Sequence, residues 1–157
     1  MSRLDVMNDR NFVFGSIHII SNKKETLMER ELKEYGITFK QWLLMAIIRN
    51  SFETPPTLNE TARAMGSSHQ NVKKIASILA EKGYAVLEKD KRDSRATRIR
   101  LTEESDKLAA TIQSRANAFT SILFEGLSDG DMAKARLVLQ GMMANLVKME
   151  QKDTEEE

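Results

Sequence analysis

The two prolines of this 157-residue chain stand side by side, at Pro55 and Pro56. Proline is the residue that most strongly interrupts a helix, because it lacks a backbone N–H and its ring clashes with the preceding turn. The long stretches before and after this pair are therefore free to be helical. Apolar residues recur at helical spacing in most of them, so the sequence predicts a mainly α-helical chain.

Helical patterns with glycine or hydroxyl residues at their ends divide the chain into six segments. They cover about residues 11–33, 39–50, 57–65, 68–82, 102–125 and 131–151. The second contains the run WLLMAII, which is apolar on most sides and is therefore predicted to be buried. Thr38 is predicted to cap this helix at its start.

The middle of the chain places two short helices and a hairpin in succession. The third helix ends at Gly66 and the fourth is capped by Ser67 or Ser68, which leaves a three-residue turn. Residues 84–88 and 98–101 favour strands, with the polar stretch DKRDSRAT between them. This order predicts a winged helix-turn-helix, in which a helix fits the major groove of DNA and an arginine-bearing hairpin fits the minor groove.

The distribution of charge agrees with this prediction. The whole chain has a net charge of only +1, but residues 57–101 contain ten basic and five acidic residues and so carry +5. A basic centre between neutral or acidic ends is typical of a surface that meets a polyanion. The tail, residues 152–157, is acidic and is predicted to be disordered.

Several function classes are not supported by any motif. The chain has no cysteine and only two histidines, so we expect no disulfide, metal site or cofactor. We find no phosphate-binding glycine loop or nucleophile elbow, and do not expect an enzyme. The N-terminus mixes charges of both signs, unlike a signal peptide, and no segment approaches the ~20 apolar residues of a membrane span. A cytoplasmic protein without membrane contact is expected.

The segment AEKGYAVLEKDKRDSRATRIRLTEE, residues 80–104, resembles the signature of the MarR (multiple antibiotic resistance regulator) family of winged helix-turn-helix transcriptional regulators. The wing motif D-x-R-D-x-R reads here Asp90 to Arg95, and Leu101-Thr102 follows the second strand. The segment GITFKQWLLMAIIRN resembles the second helix of the family. The resemblance covers roughly residues 11–150, with Lys91 at a position where the family often has proline.

The resemblance implies a DNA-binding role for nine residues. Those of the recognition helix that would face the major groove are Ser67, Ser68, His69, Gln70, Asn71, Lys73 and Lys74. In the wing, at least one of Arg92 and Arg95 would enter the minor groove. Asp90 and Asp93 would hold these two arginines by charge-assisted hydrogen bonds and so support the wing.

The resemblance also implies a homodimer. Residues 37–101 would form the DNA-binding lobe, and residues 1–36 and 102–151 the helical dimerisation region. In the last helix, apolar residues recur in steps of three and four, as in a coiled-coil seam. The candidate interface residues of this seam are Met132, Leu139, Met142, Leu146 and Met149.

A small aromatic or anionic effector is implied as a further partner. Five residues either line its crevice between the lobe and the dimer helices or pack in the core: Phe14, His18, Trp42, Met45 and Phe119. The expected function is sequence-specific binding of double-stranded DNA at a pseudo-palindromic operator, by a repressor that an effector releases. The alternatives are a winged helix that docks another protein and a non-specific architectural DNA binder.

Overall fold

The computed structural model describes the backbone of residues 7–155 and the side chains of residues 7–151. Within this range lie six α-helices, and a short 3-10 helix, Lys33–Tyr35, follows the first of them directly. The elements are α1 (Asp9–Leu32), α2 (Phe39–Ser51), α3 (Leu58–Met65), α4 (His69–Glu81), β1 (Ala85–Lys89), β2 (Thr97–Leu101), α5 (Glu103–Leu123) and α6 (Asp129–Glu155). The predicted fold class, mainly α with a small β wing, is confirmed.

Polar side chains set the starts of the helices. Thr38 caps α2 as predicted, and Gln41 completes a capping box by accepting the N–H of Thr38. The start of α1 is two residues earlier than predicted, because the side chain of Asn8 accepts the N–H of Asn11 at 3.0 Å. Likewise α6 starts at Asp129 rather than at residue 131, after Ser128.

The turn between α3 and α4 depends on Gly66. This residue adopts a left-handed backbone, with φ of 58°, and its N–H donates to the carbonyls of Ala62 and Arg63. A side chain at this φ would be strained, so glycine ends α3 cleanly. The predicted three-residue turn, residues 66–68, is confirmed, and Ser68 is the residue that caps α4.

The two strands form an antiparallel hairpin in which Leu87 lies opposite Ile99. Each strand differs by one residue from its predicted range, and the polar stretch forms the turn between them. The hairpin is attached to the segment before α3, because Ile99 N–H donates to the carbonyl of Pro56 at 2.8 Å and Arg98 forms a β-bridge with Thr57. The start of α3 and the base of the wing are thus joined through the backbone.

The chain divides into two units, Met1–Asn117 and Ala118–Glu157. The first contains α1 to α4, the hairpin and the first part of α5. Its core is formed by apolar side chains that are almost completely buried: Leu32, Leu44, Val72, Leu79, Ile99 and Ile112. The apolar run of α2 is buried at Leu44, Met45 and Ile48, and its other members are partly buried.

The second unit contains the end of α5 and α6. Its described side chains are exposed except for Phe119, Met132 and Met142, which are partly buried. The predicted separation of residues 37–101 from a dimerisation region stays a prediction. The tail predicted to be disordered is helical up to Glu155, and residues 156–157 lie outside the described part of the chain.

Ion pairs connect the first part of α5 to α2, to the end of α1 and to the 3-10 helix. The guanidinium of Arg49 in α2 donates to Asp106 at 2.7 Å and to Ser105 at 3.3 Å. Arg115 pairs with Glu31 at 3.4 Å and with Glu34 at 2.5 Å. None of the helices in the described range has both the length and the apolar composition needed to cross a bilayer.

Candidate nucleic-acid interface

The helix α4 has one buried face and one exposed face. On the inner face, Val72, Ile75 and Leu79 are buried and pack against the rest of the lobe. The outer face and first turn present most of the predicted DNA-contacting side chains, and those that are exposed are Ser68, His69, Gln70, Asn71, Lys73 and Lys74. The structure therefore places donors, acceptors and ammonium groups together on one accessible surface.

The two serines of the turn also organise the start of α4. Ser68 Oγ accepts the N–H of Asn71 at 3.2 Å, which is an ordinary N-cap. Ser67 is partly buried, and its Oγ accepts a hydrogen bond from the side-chain amide of Asn71 at 2.9 Å. The three side chains therefore position one another, and Asn71 is already oriented before any ligand is present.

The far end of α4 is held by Lys82. Its ammonium donates to the carbonyl of Gly36 at 2.6 Å and to Oε1 of Gln41 at 3.1 Å. Gln41 is buried, so this contact joins the end of α4 to the start of α2. Sequence reasoning counted Lys82 only as part of the basic charge, since a contact 41 residues apart has no local pattern.

The turn of the wing is built around the carboxylate of Asp90. Oδ1 accepts the backbone N–H groups of Arg92 at 2.7 Å and Asp93 at 2.8 Å, and Oδ2 accepts the Nε of Arg98. These donors favour the charged form, so they lower the pKa of Asp90 from 3.8 to about 2; the largest contribution is the Asp93 N–H, followed by the Arg98 side chain and the Arg92 N–H. The wing is therefore preformed.

The two wing aspartates contact Arg92 and Arg95 through backbone N–H groups. Asp93 Oδ1 accepts the backbone N–H of Arg95 at 3.0 Å, and Asp90 pairs with the guanidinium of Arg98. The contacts of Asp90 with Arg92 and of Asp93 with Arg95 are therefore made to backbone N–H groups and not to the guanidinium groups. In a tight turn, the N–H groups two or three residues further on lie closer to an aspartate than the ends of long side chains do.

The guanidinium groups of Arg92 and Arg95 are consequently available. Both side chains are exposed, and among residues 7–151 no carboxylate lies within ion-pair distance of either. Arg98 takes the structural role instead. It also donates to the carbonyl of Pro55 at 2.6 Å and lies 3.9 Å from Glu60, so it connects the wing to the start of α3.

A polar cleft of about 220 Å³ lies where the start of α3, the first turns of α4 and the wing meet. Its lining residues are Thr57, Leu58, Asn59, His69, Lys73, Lys89, Arg95, Ala96 and Thr97. It brings together three predicted DNA-binding residues, His69, Lys73 and Arg95. Sequence reasoning placed the start of α3 at Thr57 but missed Asn59 and Lys89 at this site.

Arg92 lines a different cleft, of about 250 Å³, at the turn end of the wing. The other residues that line it are Glu88, Lys89, Asp90, Lys91 and Arg98. The two wing arginines are thus associated with separate clefts, and Lys89 borders both. Only Arg95 shares its cleft with the helix α4.

The predicted effector residues differ in burial, and their common site stays a prediction. Met45 is buried in the core, and Trp42 is partly buried with its ring centroid 5.8 Å from that of Phe39. Phe14 is 78% exposed, and the exposed His18 is hydrogen-bonded to Asn22 on the same helix at 3.0 Å. Phe119 belongs to the second unit. The cavity on α1, about 310 Å³, is lined by Asn22, Lys23, Thr26 and Leu27 and includes none of the five.

The predicted seam of α6 is accessible. Leu139, Leu146 and Met149 are between 46% and 61% exposed, and Met132 and Met142 are partly buried. Leu137, Val138 and Met143 of the same helix are also exposed, so the apolar surface of α6 is broader than the seam. Within the described residues, no group of three or more histidine or carboxylate side chains is arranged to hold a metal ion.

No family model matches the sequence, but solved structures match the fold over most of the chain. A MarR/EmrR family transcriptional regulator from Acinetobacter sp. ADP1 has a TM-score of 0.79 at 17% identity, over 90% of this chain and 99% of its own. A MarR transcriptional regulator from Methanosarcina mazei Go1 has a TM-score of 0.75 at 22% identity, over 88% and 99%.

A third match is the S. aureus MepR–DNA complex, with a TM-score of 0.75 at 21% identity, over 89% of this chain and 99% of the MepR chain. The matched regions include both the lobe and the helices around it, since so little of either chain is left out. Together with the helix-turn-helix, the hairpin and the flanking helices, these matches show that the chain has the fold of the MarR-family winged-helix regulators.

Proposed function

We propose that this chain is a sequence-specific DNA-binding regulator that acts as a homodimer. The observation that carries the proposal is the convergence of Lys73 from α4 with Lys89 and Arg95 from the wing around one polar cleft. Cations from a recognition helix and a wing on the same surface suit a duplex, whose phosphates bracket both grooves. A winged helix that docks a protein has no need for such a cationic surface.

The internal charge balance of the wing supports the same function. The carboxylate of Asp90 is satisfied by two backbone N–H groups and Arg98, so its negative charge is neutralised inside the turn. Arg92 and Arg95 then project from the turn without competition from a neighbouring carboxylate. A preformed hairpin with an outward arginine is the geometry needed for insertion into a minor groove. The MepR structure of the same fold was solved as a DNA complex.

The proposed dimer is supported by the surface of α6. Its seam repeats in steps of three and four, and Leu139, Leu146 and Met149 expose apolar surface that is costly to leave in water. A two-fold axis would bring the same seam of a second chain against it, because a C2 interface uses one self-complementary patch. Two lobes would then read half-sites about 10 bp apart in a pseudo-palindromic operator.

Regulation by repression follows from this arrangement. A dimer that covers an operator blocks other proteins from that DNA, and a small aromatic or anionic effector that prefers an incompatible lobe spacing would release it. Phe14 and His18 are exposed on α1 and are the members of the predicted effector set that remain accessible. They are the first positions to examine once an effector has been found by screening against the operator complex.

Selection from a random duplex library at near-physiological salt tests this function. Sequencing of the retained DNA should show an inverted repeat with one-turn spacing between half-sites. Retention of DNA without a motif would support an architectural binder instead, and no retention would support a protein-docking role. The Arg95→Glu variant is the matched control, because reversing one charge in the cleft should remove the enrichment while leaving the fold intact.

A further inference from the structure

Cationic side chains from both α4 and the wing line the cleft between α3, α4 and the wing. Lys73 reaches it from α4, and Lys89 and Arg95 reach it from the two ends of the wing turn. Among its described lining residues there is no aspartate or glutamate, in contrast to the cleft that Arg92 lines, which contains Glu88 and Asp90. Three cations brought together without a counter-charge repel one another, and a bound anion would relieve this repulsion.

The start of α3 also borders this cleft. The capping box uses two of the N–H groups there: Thr57 N–H donates to Glu60 at 2.6 Å, and Glu60 N–H donates to Thr57 Oγ at 3.2 Å. Within the described residues, the N–H groups of Leu58 and Asn59 donate to no protein acceptor, and both residues line the cleft. They add two donors and the positive end of the helix to the side-chain cations.

We infer that this cleft binds one phosphate of the DNA backbone in each half-site. The inference rests on the proposed function and deepens it. A phosphodiester presents oxygens that accept several hydrogen bonds at once, as the cleft requires, and a volume of about 220 Å³ leaves room for one such group. The same phosphate would contact α4 through Lys73 and the wing through Lys89 and Arg95. It would therefore set the wing and the recognition helix in one register on the duplex.

The test is a scan with methylphosphonate, which removes the charge of a single phosphate and keeps its shape. The probe is the duplex recovered by selection, with one substitution at a time on each strand. We expect one position per half-site at which neutralisation weakens binding about tenfold or more, the effect of losing a charge-assisted contact. At that position, Lys73→Met and Lys89→Met should each cause a loss on the normal duplex and almost none on the neutralised duplex.

Matched controls are available on the same two elements. Lys74 is adjacent to Lys73 on α4, and Lys91 lies two residues beyond Lys89 in the wing, but neither lines this cleft. Lys74→Met and Lys91→Met change the charge by the same amount. Each variant should therefore weaken binding by the same factor on the normal duplex and on the neutralised duplex. We say that a lysine couples to a phosphate when neutralising that phosphate abolishes the effect of the lysine variant. Lys73 and Lys89 belong to different elements, so coupling of both to the same phosphate is the expected signature of a shared site.

Two results would overturn the inference. If Lys73 and Lys89 couple to different phosphates, or to none, while the selected motif is still bound, the cleft does not hold a single phosphate although the proposed function stands. Free phosphate is the other possible source of the anion. If inorganic phosphate alone, at micromolar concentration and constant ionic strength, shifts the amide resonances of Leu58 and Asn59 and competes with DNA, the cleft is a site for the free anion.

Discussion

The two units of the chain differ in where they keep their apolar side chains. In the first unit, the lobe encloses Leu44, Val72, Leu79 and Ile99, each with almost no exposed surface. In the second unit, none of the described side chains is buried, and large apolar residues such as Leu137 and Leu146 are more than half exposed. The first unit thus has a core of its own, whereas the described side chains of α6 are exposed or partly buried.

This difference indicates what each unit needs from outside. A lobe with a closed core and a preformed wing can present α4 to DNA without further assembly. A long helix with a continuous apolar surface is poorly stable by itself, because most helical stability in proteins comes from packing an apolar face. The second unit is therefore the one that we expect to depend on a second chain. Variants in α6 test this dependence, and variants in the wing test DNA binding by the first unit.

Leu139→Glu in the seam of α6 should have the largest effect. A charged side chain at the centre of an apolar interface would leave its carboxylate unpaired, so we expect the dimer to dissociate at micromolar protein. Operator affinity should then fall about 100-fold or more, because a monomer contacts only one half-site and loses the effective concentration of its partner lobe. Sedimentation velocity and binding to the selected operator measure the two effects.

Leu137→Glu is the matched control for this variant. Leu137 is also exposed and lies about 200° around α6 from Leu139, at about 100° per residue. The same substitution on this side of the helix should leave the dimer intact. If both variants remain dimeric, the seam is not the interface and the exposed surface of α6 has another partner.

The sequence predicted the local elements of the fold better than the contacts between them. The apolar periodicity of α2 and α4, the glycine at residue 66 and the cap at Ser68 are local signals, and α2, α3 and α4 begin and end within two residues of their expected ends. The sequence did not specify through which atoms Asp90 and Asp93 would hold the wing arginines, because the choice between a nearby N–H and a distant guanidinium depends on the turn geometry. The cleft residues Asn59 and Lys89 come together only through the tertiary attachment of the hairpin at Pro56.

The predicted effector crevice shows the same limit. Aromatic residues and methionines at helical spacing fit a core and a ligand site equally well, and periodicity alone does not separate the two. The structure separates Met45, which is buried, from Phe14, which is exposed. Burial depends on what packs against each helix, and that is decided by elements far apart in the chain.

Arg92→Ala tests the contribution of the first unit to operator binding. If the free guanidinium of Arg92 enters the minor groove, its removal should lower operator affinity about tenfold. The salt dependence should also fall by about one unit of log–log slope if a phosphate contact is lost with it. Fluorescence anisotropy at several salt concentrations measures both quantities, and the dimer should persist.

Arg136→Ala makes the same change in the second unit, on an exposed residue of α6. It alters the net charge of the chain equally but should leave operator affinity within about twofold, since long-range effects between exposed charges are screened at physiological salt. Equal losses for the two variants would mean that general charge, rather than the wing, determines binding.

Arg98→Met tests the internal support of the wing. With a folded-state pKa of about 2 against the ordinary 3.8, the charged Asp90 stabilises the wing fully above pH 3.8, and this contribution is lost as the pH falls towards 2. Removing Arg98 leaves the backbone donors but takes away a cation, so the pKa of Asp90 should rise towards 3.8, and the acid-induced loss should be smaller and complete at a higher pH. NMR titration of the Asp90 carboxyl carbon gives the midpoint directly.

Arg100→Met is the control on the same strand. Arg100 pairs with Glu88 at 2.6 Å and is not among the groups that shift Asp90. The Asp90 midpoint should therefore be the same as in the unaltered chain. Coinciding midpoints for the Arg98 and Arg100 variants would show that the backbone turn alone holds the carboxylate charged.

Lys82→Met should have the smallest effect, because α4 is held mainly by its buried face. The ammonium of Lys82 contributes hydrogen bonds to Gly36 and Gln41 at the far end of the helix, and Gln41 Oε1 retains the N–H of Thr38 as a partner. We expect a loss of about 1 kcal/mol, the usual net value of such contacts. It should appear as faster hydrogen exchange in the last turn of α4 and as a decrease in operator affinity of no more than about fivefold.

Lys33→Met, on an exposed lysine of the 3-10 helix, controls for the loss of one surface charge near the same junction. It should leave exchange in α4 unchanged. If the Lys82 variant behaves like it, the core alone orients the recognition helix. If instead Lys82→Met reduces affinity as strongly as Arg92→Ala, the lobe is less self-sufficient than its closed core indicates, because the orientation of α4 would then depend on a single surface contact to the start of α2.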